Sequence, residues 1–329
     1  MVESAMATPT YLSISARRSR PQVGYFLPKL ARAATCFVLL FSTAIAFFGS
    51  GCRRQSSSSV SQAQAHPKVA IAQRVVTLTP SLTEIVFSLG AGDRVVGVSD
   101  YCDYPAEAKT RARVGTFLQP SVEKILALEP SLVLLDGVQQ DVAAALGHAG
   151  ARVLAVPMND LREVRAAITL VGEALGDRQP AAAQLLTTLD AELATVRQQV
   201  GSRPRKRVMF VVDRQLGGLR GLVVAGPGTY LDELLRLAGG ENVFSDLKVR
   251  YAKVAIEAIQ ERQPAVILDA VHAEAGTEQA VRADWQPMTD LQAVRSGQVY
   301  VLGSREFVTP GPRLGQALRR LASLLQERP

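Results

Sequence analysis

Val122-Glu123-Lys124-Ile125-Leu126-Ala127-Leu128-Glu129-Pro130-Ser131-Leu132-Val133-Leu134 and Ile256-Glu257-Ala258-Ile259-Gln260-Glu261-Arg262-Gln263-Pro264-Ala265-Val266-Ile267-Leu268 carry one pattern in two halves of the chain. In each, a Glu follows an aliphatic residue, an Ile comes two places later, a Pro comes seven places after the Glu, and an aliphatic run begins. The first part reads as a short helix and the aliphatic run as a strand. The two Glu stand 134 positions apart, at 123 and 257, about one lobe of a two-lobed protein. Two lobes of related construction, each showing one carboxylate from an equivalent place, invite a partner that reads both at once. Each Glu alone is also explained by the helix dipole, which favours a carboxylate in a first turn by about 0.3–1 kcal/mol.

Outward from these stretches, strand and helix alternate. Val75–Leu78, Val95–Val98, Leu132–Leu135 and Val153–Val156 read as strands, with helices over Val142–Ala149 and Leu161–Leu175. Thr79-Pro80 reads as a turn, and Ser81-Leu-Thr-Glu84 as a capping box opening a helix that Gly90 closes. Such alternation predicts a parallel sheet in an α/β lobe. The rhythm breaks at Pro180–Val200, which holds no breaker and places Leu186, Leu189, Leu193, Val196 and Val200 on one face. Its length, about 30 Å, suffices to cross between lobes. After it come strands at Arg207–Val212, Leu222–Val224, Val266–Leu268 and Val299–Leu302, and a last amphipathic helix over Leu314–Gln326. Two α/β lobes around a cleft commonly bind a ligand between them.

The first fifty residues belong to a different class. Arg17, Arg18, Arg20, Lys29 and Arg32 precede an uncharged run from Cys36 to Phe48, and Gly49-Ser-Gly51 leads into Cys52. These are the parts of a secretory signal, with an apolar run too short for a membrane span of about 20 residues. A Cys straight after small residues resembles the lipobox of bacterial lipoproteins, although Gly49 replaces the usual Leu. That resemblance implies a lipidated Cys52; ordinary cleaved secretion and an uncleaved anchor stay open. The polar stretch after Cys52 reads as a tether. The formal charge of +7 falls to +3 once residues 1–51 are set aside, leaving 32 basic and 29 acidic residues. Without a basic, aromatic-interleaved stripe, nucleic-acid binding has no support. Cys102 is then the only other Cys, so no disulfide framework exists.

Catalytic machinery is hard to find. The chain has no Walker phosphate loop and no Gly-x-Ser-x-Gly elbow, and Gly90-Ala-Gly92 sits between helix and strand, the reverse of a dinucleotide fingerprint. Gly226-Pro-Gly228-Thr229 lies between strand and helix, where its amides could hold an anion or Thr229 could simply cap the helix. Three histidines, His66, His148 and His272, with Glu274 beside the last, do not make a transition-metal site. Aromatic residues in loops after strands offer more: Tyr101 and Tyr104 in Tyr101-Cys-Asp-Tyr-Pro105, Phe117 in Gly115–Pro120, Tyr251 ahead of the second Glu motif, and Phe307 in Arg305-Glu306-Phe307. Such rings suit a large planar ligand, and they also cover cores.

Arg74-Val-Val-Thr-Leu-Thr-Pro-Ser81…Glu84, Val95-Val-Gly-Val-Ser-Asp-Tyr-Cys-Asp-Tyr-Pro105, Val122–Pro130, Ala238-Gly-Gly-Glu-Asn-Val-Phe244 and Pro310-Gly-Pro-Arg313 together resemble the periplasmic cobalamin- and ferric-siderophore-binding receptors of ABC importers, closest to the cobalamin branch. The resemblance covers residues 74–329. It implies two Rossmann-like α/β lobes with parallel sheets, joined by one long α-helix, with the ligand cleft between them. It further implies that Glu123 and Glu257 dock on arginines of the two permease subunits, and that Tyr101 packs on a corrin ring. Phe117 and Tyr251 stand where such receptors carry tryptophans; a further cleft Trp reads Asp136, and the last cleft loop reads Arg305-Glu306-Phe307.

The organisation expected is a signal over 1–51, a tether over 52–73, an N-terminal lobe over 74–176, the connecting helix over 177–203 and a C-terminal lobe over 204–329. The expected ligand-binding residues are Tyr101, Phe117, Asp136, Tyr251, Arg305 and Phe307. The expected function is a non-enzymatic, lipid-anchored extracytoplasmic receptor, a monomer with no permanently bound cofactor or metal. It would deliver cobalamin to an ABC permease with its ATPase subunits. A ferric-siderophore or haem receptor is the ligand alternative, favoured by Arg305 and Arg313 if the ligand is anionic; a sensory or scaffold lipoprotein and a cleft enzyme are alternatives of other classes.

Overall fold

The computed structural model of the chain describes residues 70–271 and 278–326. The expected signal over 1–51, Cys52, His66, His272 and Glu274 lie outside the described residues. At the near end of the expected tether, Ala72 is already buried and its N–H donates to Leu175 O at 3.2 Å.

The N-terminal lobe runs β1 (Val75–Thr77), α1 (Pro80–Ser88), β2 (Val95–Val98), β3 (Ala112–Arg113), α2 (Val122–Ala127), β4 (Leu132–Asp136), α3 (Gln140–His148), β5 (Val153–Val156) and α4 (Leu161–Ala174). Its sheet is parallel throughout, in the order β3-β2-β1-β4-β5. Strand side chains alternate between faces, and both faces are covered, which is why the strands read as unbroken aliphatic runs. Val75, Leu132 and Leu134 face α1 and α4, while Val76, Val133 and Leu135 pack with Ile125 of α2 and Leu146 of α3. The start of α1 differs from expectation. Pro80 is its first residue, and Thr79 is the cap, accepting from Leu82 N at 3.3 Å. Glu84 is released from the expected capping box and turns toward the other lobe.

Helix α5 (Gln179–Val200) connects the lobes. Leu189, Leu193, Val196 and Val200 are buried on its inner face, as the three-and-four spacing requires. It packs against α4 on one side and against α6 (Tyr230–Leu237) and α10 (Leu314–Gln326) on the other. Its buried residues belong to one hydrophobic cluster that runs from Val75 through Leu193 to Leu318. A continuous core of this kind resists hinge bending.

The C-terminal lobe comprises β6 (Lys206–Gln215), β7 (Arg220–Ala225), α6, β8 (Gly240–Asn242), β9 (Tyr251–Lys253), α7 (Ile256–Arg262), β10 (Val266–Asp269), α8 (Glu278–Ala283), α9 (Gln292–Arg295), β11 (Val299–Val301) and α10. The expectation of a parallel sheet fails here. The order is β11-β10-β6-β7-β9 with β8 also on β6; β6/β10, β10/β11 and β6/β8 are parallel, but β7 is antiparallel to both neighbours. Only Leu216-Gly217-Gly218-Leu219 separates β6 from β7, too short for a crossover helix, so the chain must double back. Gly217 and Gly218 take φ of 78° and 148°, which that reversal needs.

The repeated motif is a repeated structure. Ile125 and Ile259 are fully buried beneath α2 and α7. Each helix is left through a non-glycine residue at positive φ, Glu129 at 45° and Gln263 at 42°, followed by the Pro and the strand. In each lobe an arginine at the first sheet strand caps that helix. Arg74 Nε donates to Leu128 O at 2.9 Å, and Arg207 Nη2 donates to Arg262 O at 2.6 Å. These bonds satisfy carbonyls that a helix terminus leaves without partners. Arg74→Ala is expected to lower stability by about 1 kcal/mol, below the roughly 1.5–3 kcal/mol of a buried charged hydrogen bond because the site is exposed. Urea denaturation measures this, and an unchanged midpoint would show that water caps the helix equally well.

Candidate functional site

The parallel strands of both lobes end toward one another, the position at which α/β sheets place ligands. Four loops bring the expected residues there. Tyr101 lies after β2, Phe117 after β3, Asp136 at the end of β4, and Arg305 after β11. Tyr251 opens β9.

Two groups form across the lobe junction. Arg305 Nε lies 3.2 Å from Asp103 Oδ2, and its guanidinium carbon is 5.6 Å from the Tyr101 ring centroid. Tyr101 keeps 47% of its surface, so a flat aromatic face is available to a ligand. On the other side, the Tyr251 hydroxyl feels Asp136. The phenol is pushed up to about 12 chiefly by burial; Arg250 opposes this, and the Asp136 carboxylate adds a smaller push upward. The residue is nonetheless 41% exposed, so the cleft wall crowds the ring without sealing it. Asp136 is itself pushed up, chiefly by burial and further by Glu163, while the Val138 N–H opposes. Its Oδ1 accepts from Val138 N at 3.0 Å, which turns the loop after β4. Gln139 Nε2 donates to Phe117 O at 2.7 Å and ties that loop to the one after β3. Phe117 and Asp136 thus stand on two loops tied together in one lobe, with Tyr251 near Asp136 from the other, while Tyr101 and Arg305 form the second group.

Phe307 does not belong with them. It is fully buried, with Arg320 from α10 stacked 4.9 Å from its ring centroid, so it presents no surface to a ligand. In the short turn over Arg305–Phe307 the last two side chains, Glu306 and Phe307, are both buried, and Arg320 of α10 contacts each, leaving Arg305 toward the cleft. Trp285 is likewise in the core, its Nε1 donating to Asp269 Oδ2 at 2.8 Å. Apolar surface at the cleft comes instead from residues that carry no sequence signal of exposure. Leu118 is 84% and Val138 70% exposed on the loops beside Phe117 and Asp136, and Val249 is 54% exposed just before Tyr251.

Glu123 and Glu257 are exposed on the first turns of α2 and α7, and neither enters an ion pair with another described residue. Thr229 caps α6 by accepting from Asp232 N at 3.1 Å, the plainer of the two readings of the Gly226 turn. Gly226 has a packing reason, since a Cβ there would lie 2.5 Å from Val249 O. Among the described residues, no three His, Cys, Asp or Glu gather as metal ligands. A surface depression of about 460 Å3, lined in part by Glu84, Phe87, Tyr104 and Arg111, holds none of the expected ligand residues.

Residues 75–306 match the sequence family described as Periplasmic binding protein. The chain is 30% identical over 260 residues to the Vitamin B12-binding protein of Vibrio cholerae, an alignment covering 78% of this chain and 90% of that one. It is 30% identical over 261 residues to YvrC of Bacillus subtilis, an uncharacterised ABC transporter substrate-binding lipoprotein, covering 76% and 79% respectively. Among solved structures, it is similar to the periplasmic heme-binding protein RhuT from Roseiflexus sp. RS-1, with a TM-score of 0.68 and 28% identity, covering 77% of this chain and 98% of that one.

Proposed function

Because this chain belongs to the family of periplasmic binding proteins, we propose that it captures a cobalamin-like corrinoid between its lobes and hands it to an ABC permease. The family is one of binding proteins, not enzymes. The observation that carries the ligand is the near full-length match to a vitamin B12-binding relative. The cleft supports the same reading. Tyr101 and Tyr251 give flat amphipathic faces, and Phe117, Leu118 and Val138 add apolar area on the loops beside Asp136. A corrin ring is large, planar and mostly apolar, and its side-chain amides would find Asp136 and Arg305 at the rim.

Glu123 and Glu257 dock the loaded receptor. They are exposed, lack ion-pair partners among the described residues, and stand at equivalent places on the two lobes, as recognition by two like permease subunits requires. The signal-like segment and Cys52 give export and a lipid anchor, with the folded unit working as a monomer at the membrane surface.

A second reading is a haem or ferric-chelate receptor. It is favoured by Arg305, whose guanidinium lies beside Tyr101 and could meet an anionic ring substituent, and by the heme-binding structural relative. Absorbance titration with haemin and with cyanocobalamin separates the two. The corrinoid reading expects saturable binding of cyanocobalamin and no specific shift of the haem band. Tight, stoichiometric haemin binding without corrinoid binding would replace it by the second.

A further inference from the structure

The loop after β2 carries its exposed tip, Tyr101 to Tyr104, on a base fixed by its own lobe. Arg113 Nη1 donates to Ser99 O at 2.9 Å and to Cys102 O at 3.0 Å, and Asp100 N donates to Gly115 O at 2.9 Å. The tip is held differently. Among the described residues, the ion-pair and ring contacts of Tyr101, Asp103 and Tyr104 all go to two arginines of the opposite lobe. Arg305 pairs with Asp103 and lies over Tyr101; Arg313 lies over Tyr104, its guanidinium carbon 4.0 Å from the ring centroid.

Arg313 is itself fixed across the junction. Its Nε donates to Glu84 Oε2 at 2.8 Å, and its Nη2 donates to the other carboxylate oxygen. Glu84 is 3% exposed on α1, a place where an unpaired carboxylate would be costly, so the fork-to-fork pair anchors the arginine firmly. Glu306 accepts from Arg313 Nη1 at 3.5 Å and also from Arg320 of α10. The whole segment from 305 to 313 precedes α10, which packs on the connecting helix α5. The two arginines are therefore mounted on the rigid spine between the lobes.

We propose that Arg305 and Arg313 are positioning residues, which reach from the C-terminal lobe and hold the Tyr101–Tyr104 tip of the N-terminal lobe in its ligand-facing shape. Only the term ligand-facing rests on the function proposed above; the holding itself does not. A planar guanidinium suits this work because it pairs with a carboxylate at its edge while stacking on a tyrosine with its face. Each arginine does both, so the wall of the cleft formed by one lobe is shaped by the other.

Hydrogen–deuterium exchange of the purified full-length protein without ligand tests this. Arg305→Gln and Arg313→Gln should each raise exchange of the Cys102 amide, the hydrogen-bonded one of the tip, by about tenfold while amides of β1 and β4 stay protected, as local opening predicts. Arg305→Lys, which keeps the charge near Asp103 but not the planar face over Tyr101, should restore only part of the protection. Arg305 is half-buried at the lobe junction and takes no part in the apolar core, so that variant decides the matter even if Arg313→Gln does not fold. Unchanged exchange in the tip, or a rise spread evenly over the N-terminal lobe, would overturn the proposal. Failure of the unaltered protein to bind any corrinoid would instead count against the proposed ligand and leave the arginines' role standing.

Discussion

Asp269→Ala is expected to destabilise the protein by about 3–5 kcal/mol, the cost of breaking a buried ion pair by removing one partner. Asp269 ends β10 and is fully buried, as is the Arg214 side chain. Its Oδ2 accepts from Arg214 Nε and from Trp285 Nε1, each at 2.8 Å, and its Oδ1 accepts from Val271 N at 3.1 Å. Truncation leaves the guanidinium Nε–H, an indole N–H and an amide without acceptors in the core at once, while the rest of the guanidinium keeps Asp284 and backbone carbonyls. Asp284, 2.8 Å from Arg214 Nη1 but partly solvated, can offset only some of that charge. Against a typical total of about 5–15 kcal/mol for a folded domain, the loss is a large fraction. Trp285 is the only Trp in the chain, so its fluorescence follows denaturation at the site itself. The partly exposed pair Arg165–Asp190, 2.6 Å apart, is the control; Asp190→Ala should cost less than about 1 kcal/mol. Equal losses from the two variants would contradict the account of the buried network.

Glu123→Ala with Glu257→Ala is expected to abolish uptake while ligand affinity stays unchanged. Each carboxylate gains about 0.3–1 kcal/mol from the dipole of its own short helix, too little for its loss to unfold the protein. At a docking face, losing two charge-assisted contacts, each worth about 1.5–3 kcal/mol, would weaken the complex at least about a hundredfold. The single variants should each retain partial uptake, since the repeat makes the two lobes alike: both helices sit over a buried Ile and leave through a residue at positive φ. Uptake in cells carrying the permease, set beside equilibrium binding by the purified receptor, separates the effects. Lost affinity in the double variant would place the carboxylates in the cleft, and unchanged uptake would remove the docking role.

What the chain revealed in advance followed from periodicity. The Leu and Val spacing of Pro180–Val200 located the connecting helix to within one residue, because burial of one stripe repeats with the helix itself. The motif around Glu123 and Glu257 foretold two related lobes because the same local demands, a buried Ile and a strand after the Pro, recur in each. What was not legible depends on partners distant in sequence or on the chemistry of a single short turn. Glu84 reads as a capping residue in any local window, and its partner Arg313 is 229 positions away. The Leu216-Gly-Gly-Leu219 reversal is signalled by its two glycines alone, while the aliphatic runs on either side are the same as those of parallel strands. Phe307 resembled an exposed loop aromatic because nothing nearby announces that α10 will fold over it. Exposure of Leu118 and Val138 likewise is decided by loop geometry, which side-chain type does not encode.

The proposed ligand is tested most directly by calorimetric titration of the purified protein with cyanocobalamin. The account predicts a saturable heat with one corrinoid per chain at micromolar concentration, weakened in Tyr101→Ala and Tyr251→Ala. No heat at those concentrations, from protein shown to be folded, would contradict it.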